Sequence, residues 1–445
     1  MISKKRTKLL LSLCATACLL VPNSGAVLAN SADSPYTMID QRAKAIEQKL
    51  INWRHDIHQN PELGNREFRT SKLVADHLKS LGLEVRTNVA KTGVVGVLRG
   101  KQPGPVVALR ADMDALPVVE QTDFPFKSTV KSEYNGMEVG VAHSCGHDTH
   151  TAILMAVAEV LTGMKNQLPG TVVFVFQPAE EGAPAGEEGG AKLMMKEGAL
   201  DNPKPEAIFM LHTSSGMNVG QVSYVSGPST ASANAFKLNV KGSQTHGAMP
   251  WLGVDPIVVS SQIITAFQTI ESRQVNVIKE PSVLSVGSIH GGNRNNIIPD
   301  EVDMEGTLRT YDEGMRQDIL KRMERTATMI AESAGAKAKL TVEEGIPTVV
   351  NNPDLVAQMA PTLKRVVGEK NANVGKKGTA AEDFSFFSNE IPGMSVSFGV
   401  TAANEDPAKA APNHSPLFKA DDASLIVGTR VLANLAIDYL NSHKE

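Results

Sequence analysis

Cysteine is scarce in this chain: 445 residues contain three, Cys14, Cys18 and Cys145. A basic surplus is missing as well. Lysine and arginine number 44 against 48 acids, a formal net charge of −4, and no Lys/Arg run occurs outside the N-terminus. That removes the electrostatic footprint a nucleic-acid-binding protein needs. The N-terminal apolar run, LLLSLCATACLLV, is thirteen residues long, short of the ~20 that span a bilayer. No internal repeat or low-complexity segment is present. With 42% hydrophobic and 21% charged residues, the chain has the composition of a globular protein large enough for two or three domains.

The short apolar run sits between a basic MISKKRTK and a small-residue stretch in which Val27-Leu28-Ala29 fits a cleavage site before Asn30. Residues 1–29 therefore read as a signal peptide, and the protein as exported, to a periplasm or to the medium. Its removal takes away four cations and no anions, which moves the net charge from −4 to −8. Cys14 and Cys18 leave with it. Cys145 then has no disulfide partner in a compartment where paired cysteines oxidise. A lone thiol is usually a small buried hydrophobe. Here, however, it lies in VAHSCGHDTH, beside His143, His147, Asp148 and His150, a setting that favours a metal ligand.

From residue 40 onward helical and extended patterns alternate. IDQRAKAIEQKLINWRHDIHQNPE and EFRTSKLVADHLKSLG read as helices. LEVRTNV, GVVGVLRG, PVVALRAD, TVVFVFQ and AIFMLH read as strands, several of them continuously apolar and so suited to burial on both faces. This order predicts an α/β fold with a mixed sheet and functional groups at strand carboxyl ends. Near residue 227 the texture changes to βαββαβ for about 120 residues, a layout suited to a small inserted α+β domain. The expected division is 30–226 and 349–445 for a two-segment catalytic domain, with 227–348 inserted between them.

Polar groups stand just beyond the apolar strands: Asp112 and Asp114 after VVALR, Glu180 and Glu181 after FVFQPA, and His212 after AIFML. Cys145, His147 and, far along the chain, His414 add to them. Carboxylates, imidazoles and a thiolate gathered at one sheet edge are what divalent metals require, and the supply is sufficient for two. His55 and His58 lie on a helix and stay open between a structural and a catalytic role.

The motifs RHDIHQNPELGNREF, ALRADMDALPV, HSCGHDTHTA, FVFQPAEEG, THGAMPWLGVDPI, GNRNNIIPDEV, GTAAEDFSFF and NHSP occur in an order that resembles the dinuclear metal-dependent amidohydrolases and carboxypeptidases. That family includes aminoacylases, hippurate hydrolase and auxin-conjugate hydrolases. The resemblance runs from about residue 45 to the C-terminus. It implies a metallopeptidase-like catalytic domain with a βαββαβ lid through which a homodimer forms. It further implies two divalent ions per subunit (Zn²⁺ or Mn²⁺, with Co²⁺ or Ni²⁺ as alternatives) held by Cys145, His147, Glu181, His212 and His414. Glu180 matches the general base, and His246 a lid histidine that in dimeric members reaches the neighbouring subunit's site. Asn296 and Arg309 match positions that bind the carbonyl and carboxylate of a small substrate. Asp112, Asp114 and Asp148 are expected to orient the ligands from behind, and Glu382 and Asp383 to shape the pocket floor or likewise to stand behind the ligands. TSSGMNVG after His212, and Ser144 in place of a frequent alanine, depart from the common pattern away from the ligand positions.

The activity so implied is hydrolysis of the amide of an N-acyl amino acid or similar conjugate. The alternatives are a dipeptidase or carboxypeptidase acting on true peptide bonds, or an exported metal-binding protein without catalysis. No nucleic-acid or membrane partner is expected for the mature chain.

Overall fold

Pro169–Gln177, PGTVVFVFQ, is buried at every residue, as a strand covered on both faces must be. In the computed structural model, which describes residues 34–443, it belongs to an eight-stranded sheet. The strand order is Glu84–Val89, Gly93–Arg99, Pro169–Gln177, Gln102–Asp112, Ala207–Asn218, Gly393–Thr401, Val222–Tyr224 and Ala372–Val374. The four central strands, from Pro169–Gln177 to Gly393–Thr401, run parallel, while Gly93–Arg99 and Val222–Tyr224 pair antiparallel at their flanks. The expected α/β fold with a mixed sheet is the one observed. The leader assigned to residues 1–29 lies outside the described residues.

One face of the sheet is covered by the helices His147–Thr162 and Ala423–Ser442, with Pro35–Ala45, Glu47–Gln59, Phe68–Ser80 and Pro353–Val367 around them. Ala423–Ser442 is the helix, among the described residues, long and apolar enough to cross a membrane by length and composition, yet 72% of its apolar window is buried. Its apolarity is that of a core helix. The opposite face is covered by the short helices Gly190–Lys196 and Ser385–Ser388. The helix expected from residue 39 to Pro61 is in fact two, broken at Ile46 between Pro35–Ala45 and Glu47–Gln59.

A second, four-stranded antiparallel sheet has the order Ser282–His290, Glu301–Thr310, Asn234–Lys241 and Lys337–Val342. Asn234–Lys241 alternates in burial, with Phe236, Leu238 and Val240 inward and Lys237 and Lys241 outward, the period-two pattern of a half-covered strand. Two helices cover the inner face. Glu313–Ser333 places Met315, Ile319, Met323, Ala327 and Ala331 on the core side, four residues apart as one helical face demands. Pro256–Thr269 is capped by Asp255, whose Oδ1 accepts from Ile257 N at 2.9 Å and Val258 N at 3.2 Å. These elements lie between Asn234 and Val342, within the 227–348 segment. Residues from Pro35 onward form one compact unit.

Candidate metal centre

Parallel strands end on the same side, so their carboxyl ends bring distant segments together. Gln102–Asp112 delivers Asp112 and Asp114, Pro169–Gln177 leads into Glu180 and Glu181, and Ala207–Asn218 carries His212. Cys145 precedes the helix His147–Thr162, whose N-cap, Gly146, has φ 93°. A Cβ on Gly146 would stand 2.7 Å from Thr213 Oγ1, so a side chain there would collide with the His212 strand. His414, itself at φ 70°, is tied in by its N–H, which donates to Ser144 O at 2.8 Å. Asn413 Nδ2 donates to Cys145 O at 3.0 Å and to Thr213 Oγ1 at 3.1 Å.

The outcome is a cluster of donors. Cys145, His147 and His212 offer ligand atoms within 4.8 Å of one another, and so do Cys145, Glu181 and His414. Cys145 is common to both groups, and His147 also groups with Glu180 and Glu181. Each imidazole presents Nε2. The Nδ1 of His147 faces Asp114 Oδ1 at 3.2 Å, and that of His212 faces Thr213 O at 2.8 Å, which assigns the proton to Nδ1 and leaves Nε2 a lone pair. His147 Nε2 is buried without a hydrogen-bond partner. An orphaned imidazole nitrogen among a thiol and carboxylates fits a metal ligand.

His150 is excluded as a ligand by its own bonds. Its Nδ1 contacts Asp112 Oδ1 at 2.6 Å, and its Nε2 accepts the Thr213 N–H at 2.9 Å, so no lone pair is free.

The three aspartates divide their work. Asp114 holds His147 and accepts the backbone N–H of Glu181 at 2.9 Å. Asp112 holds His150 and stands 3.7 Å from His147 Nδ1. Asp148 differs from expectation, because its Oδ2 contacts Arg54 Nε and His58 Nδ1, each at 2.8 Å, instead of a ligand. His58 in turn meets Glu120 Oε1 at 3.0 Å. With both its nitrogens bonded, His58 belongs to a buried charge network.

Beneath the cluster lies Arg110, to which the sequence assigned no role. It is fully buried, donating to Asp112 Oδ2 at 2.7 Å, Gln177 Oε1 at 2.8 Å, Glu382 Oε1 at 3.0 Å and Asp383 Oδ1 at 3.1 Å. A buried guanidinium is tolerated only when so paired. Glu67 is also buried, and its Oε1 accepts the Ala179 N–H at 2.8 Å. Glu67 and Asp114 thus grip the backbone on both sides of Glu180. Both stand inside motifs that carry the family resemblance, Arg110 in ALRADMDALPV and Glu67 in RHDIHQNPELGNREF, but only the charge inside the apolar run VVALRAD hinted at a buried role, and that for Arg110.

Burial opposes ionisation of Cys145, but the imidazoles of His147 and His212 outweigh it and bring its thiol down to about 6. For Glu180 the effects add. Burial, then the charges of Glu382, Glu181 and Asp383, hold its carboxyl well above the usual range.

His246, Asn296 and Arg309 lie on the second sheet and its loops. His246 pairs with Ile297 across a two-residue ladder, and Asn296 O accepts from Gly247 N at 2.8 Å. Arg309 lies opposite Val283. His246 and Asn296 are exposed, and no metal-capable group among the described residues includes His246.

Residues 108–438 match the sequence profile of Peptidase family M20/M25/M40. The chain is 40% identical over 402 residues to thermostable carboxypeptidase 2 of Saccharolobus solfataricus, covering 89% of this chain and 97% of that one. It is 35% identical over 403 residues to N-acetyl-L-cysteine deacetylase of Bacillus subtilis, covering 90% of each. Among solved structures, a dinuclear metal binding peptidase from the M20 family of Bacillus subtilis superposes with a TM-score of 0.74. It shares 34% identity over 89% of this chain and 99% of that one.

Proposed function

As the chain belongs to Peptidase family M20/M25/M40 and is a metal-dependent hydrolase of amide bonds, we propose that it cleaves N-acyl amino acids or similar conjugates with Glu180 as general base. The observation that carries this reading is the position of Glu180. It is buried, its Oε2 is 3.9 Å from His147 Nε2, and it is flanked by groups that raise its affinity for a proton. Two divalent ions would be held by Cys145, His147, Glu181, His212 and His414. A thiolate with imidazoles and carboxylate favours Zn²⁺, with Mn²⁺, Co²⁺ and Ni²⁺ as the other candidates. When bound, the ions supply Lewis acidity that makes a water nucleophilic near neutral pH and polarises the scissile carbonyl. Glu180 takes the proton of that water and returns it to the leaving amine. Asp114 keeps His147 in the tautomer that presents Nε2, and Arg110 neutralises the acids beneath Glu180.

The test is Glu180→Gln in metal-loaded protein. Turnover is expected to fall about 10²–10⁴-fold, the usual worth of a general base, with metal content retained. Unchanged turnover would remove the mechanism. Retained metal without hydrolysis in the wild type would instead favour a metal-binding protein.

His246 and Asn296 lie outside the cluster of their own chain, and Met249, Trp251 and Leu252, which follow His246, are exposed, Trp251 to 76%. We infer a homodimer in which His246 of each subunit serves its partner, completing the carbonyl site with Asn296 while Arg309 receives the substrate carboxylate. The 40% identity to a carboxypeptidase supports a second reading, hydrolysis of true peptide bonds. A panel of N-acetyl, N-benzoyl and indoleacetyl amino acids beside dipeptides separates the two. Export is inferred from the basic and apolar N-terminus. N-terminal sequencing of the mature protein from periplasm or medium is expected to begin at Asn30.

A further inference from the structure

We propose that the cleft beside Glu181, walled by the hairpin of Lys131–Tyr134 and Met137–Gly140, receives the acyl half of the substrate and selects uncharged acyl groups larger than acetyl. The proposal rests on the N-acyl amino acid reading above and adds to it the class of acyl group.

The cavity has a volume of about 410 Å³, and its lining includes Leu63, Ala115, Leu116, Tyr134, Pro184 and Glu181. Glu181 also belongs to the group with Cys145 and His414, so the cavity adjoins the donor cluster. Such a volume is in the range of small-molecule sites.

Its walls are built, and they are joined to the metal cluster through the backbone. Ala115 follows Asp114 and donates its N–H to Glu62 O at 2.8 Å; Leu116 and Ala142 exchange two backbone hydrogen bonds of 3.0 Å. Ala142 is three residues before Cys145. Leu63, Ala115 and Val141 form a small buried apolar cluster against which Tyr134 packs. Tyr134 is further fixed by the tight turn of its hairpin, where Asn135 and Gly136 have φ 51° and 76°, the paired positive values of a two-residue hairpin loop.

Charge decides which half of the substrate enters. Arg66 is the cation among the lining residues, and it is already engaged, donating to Glu187 Oε1 at 2.6 Å and to Asn65 O at 3.0 Å. The other ionisable groups lining the cleft are Glu133, Glu181 and Glu187, together with the Tyr134 phenol. A carboxylate entering past Glu181 would be desolvated against Leu63, Ala115, Leu116 and Tyr134, where Arg66 and Lys91 are both already engaged by Glu187. The amino-acid half, which carries the carboxylate, is therefore directed away, and an anionic acyl group such as succinyl is rejected.

The experiment compares kcat/KM for N-acetyl, N-butanoyl, N-benzoyl and N-succinyl derivatives of one amino acid, in the metal-loaded wild type and two variants. Butanoyl and benzoyl are expected to exceed acetyl by about 10-fold or more, on the scale that a few buried carbons produce, with succinyl poorest. Ala185→Trp, on the exposed rim, fills the cleft and is expected to lower the benzoyl-to-acetyl ratio by about 10-fold. Tyr134→Ala widens the cleft and is expected to shift the butanoyl-to-benzoyl ratio toward the larger group. Turnover of the series with ratios unmoved by both variants, or a preference for succinyl, would overturn the pocket alone. An enzyme that cleaves dipeptides but none of the series would overturn the N-acyl reading, and the pocket's assignment with it.

Discussion

Cys145 sits where two donor groups meet, and the imidazoles around it lower its thiol to about 6. A shared thiolate should matter to both ions. Cys145→Ala is expected to bind fewer than two equivalents of Zn²⁺ per chain by equilibrium dialysis, and full occupancy with full activity would count against its role. Glu67 acts at one remove, through the Ala179 N–H. Burial first, and then the charge of Asp114, push its carboxyl from 4.5 up to about 8. The folded chain therefore keeps a proton that the unfolded chain has lost, so this contribution to stability is complete below pH 4.5 and gone above pH 8. In chelator-treated protein the wild-type Tm is expected to fall more steeply between about pH 5 and 8 than that of Glu67→Gln; equal slopes would discount the group. At this scale the candidate ligands were legible because their motifs are local. The roles of Arg110 and Glu67 were not, although both stand in local motifs, because their partners lie at Glu382, Asp383 and Ala179, far along the chain.

Gly146 shows what a single element boundary contributes. It ends the Cys145 segment in a left-handed conformation and starts the helix that carries His147. A methyl group there meets both φ 93° and the Thr213 side chain. Gly146→Ala is expected to cost about 1–3 kcal/mol, read as a lowered Tm, with weaker metal binding because Cys145 and His212 are pushed apart. The strands of the main sheet were readable from their apolar runs. The last helix, Ala423–Ser442, was not, since burial around most of its circumference erases the periodicity that marks an amphipathic helix. The hairpin at 131–140 carries an Asn-Gly turn, but its flanks lack the apolar alternation that would have marked them as strands.

The proposal that a partner subunit completes the site is tested at the second sheet. Trp251, Leu252 and Met249 are exposed beside His246, an arrangement that a partner subunit would cover. Trp251→Glu is expected to shift the protein to a monomer in sedimentation and to lower kcat along with it, while the metal content is unchanged. A monomeric variant with wild-type kcat would place the complete site within one chain.

The sequence by itself determined the alternation of strands and helices, the βαββαβ texture of the second sheet and the set of metal-capable residues. These depend on local period and short motifs, which neighbouring residues carry. Tertiary structure alone decided that Asp148 serves Arg54 and His58 while Asp114 serves His147. It also decided that His150 has no lone pair to give and that a cleft without a free cation adjoins Glu181. Each of these is a matter of direction and distance between segments far apart in the chain, brought together by parallel strand pairing at the sheet edge and, for Asp148, by the packing of Glu47–Gln59 on His147–Thr162.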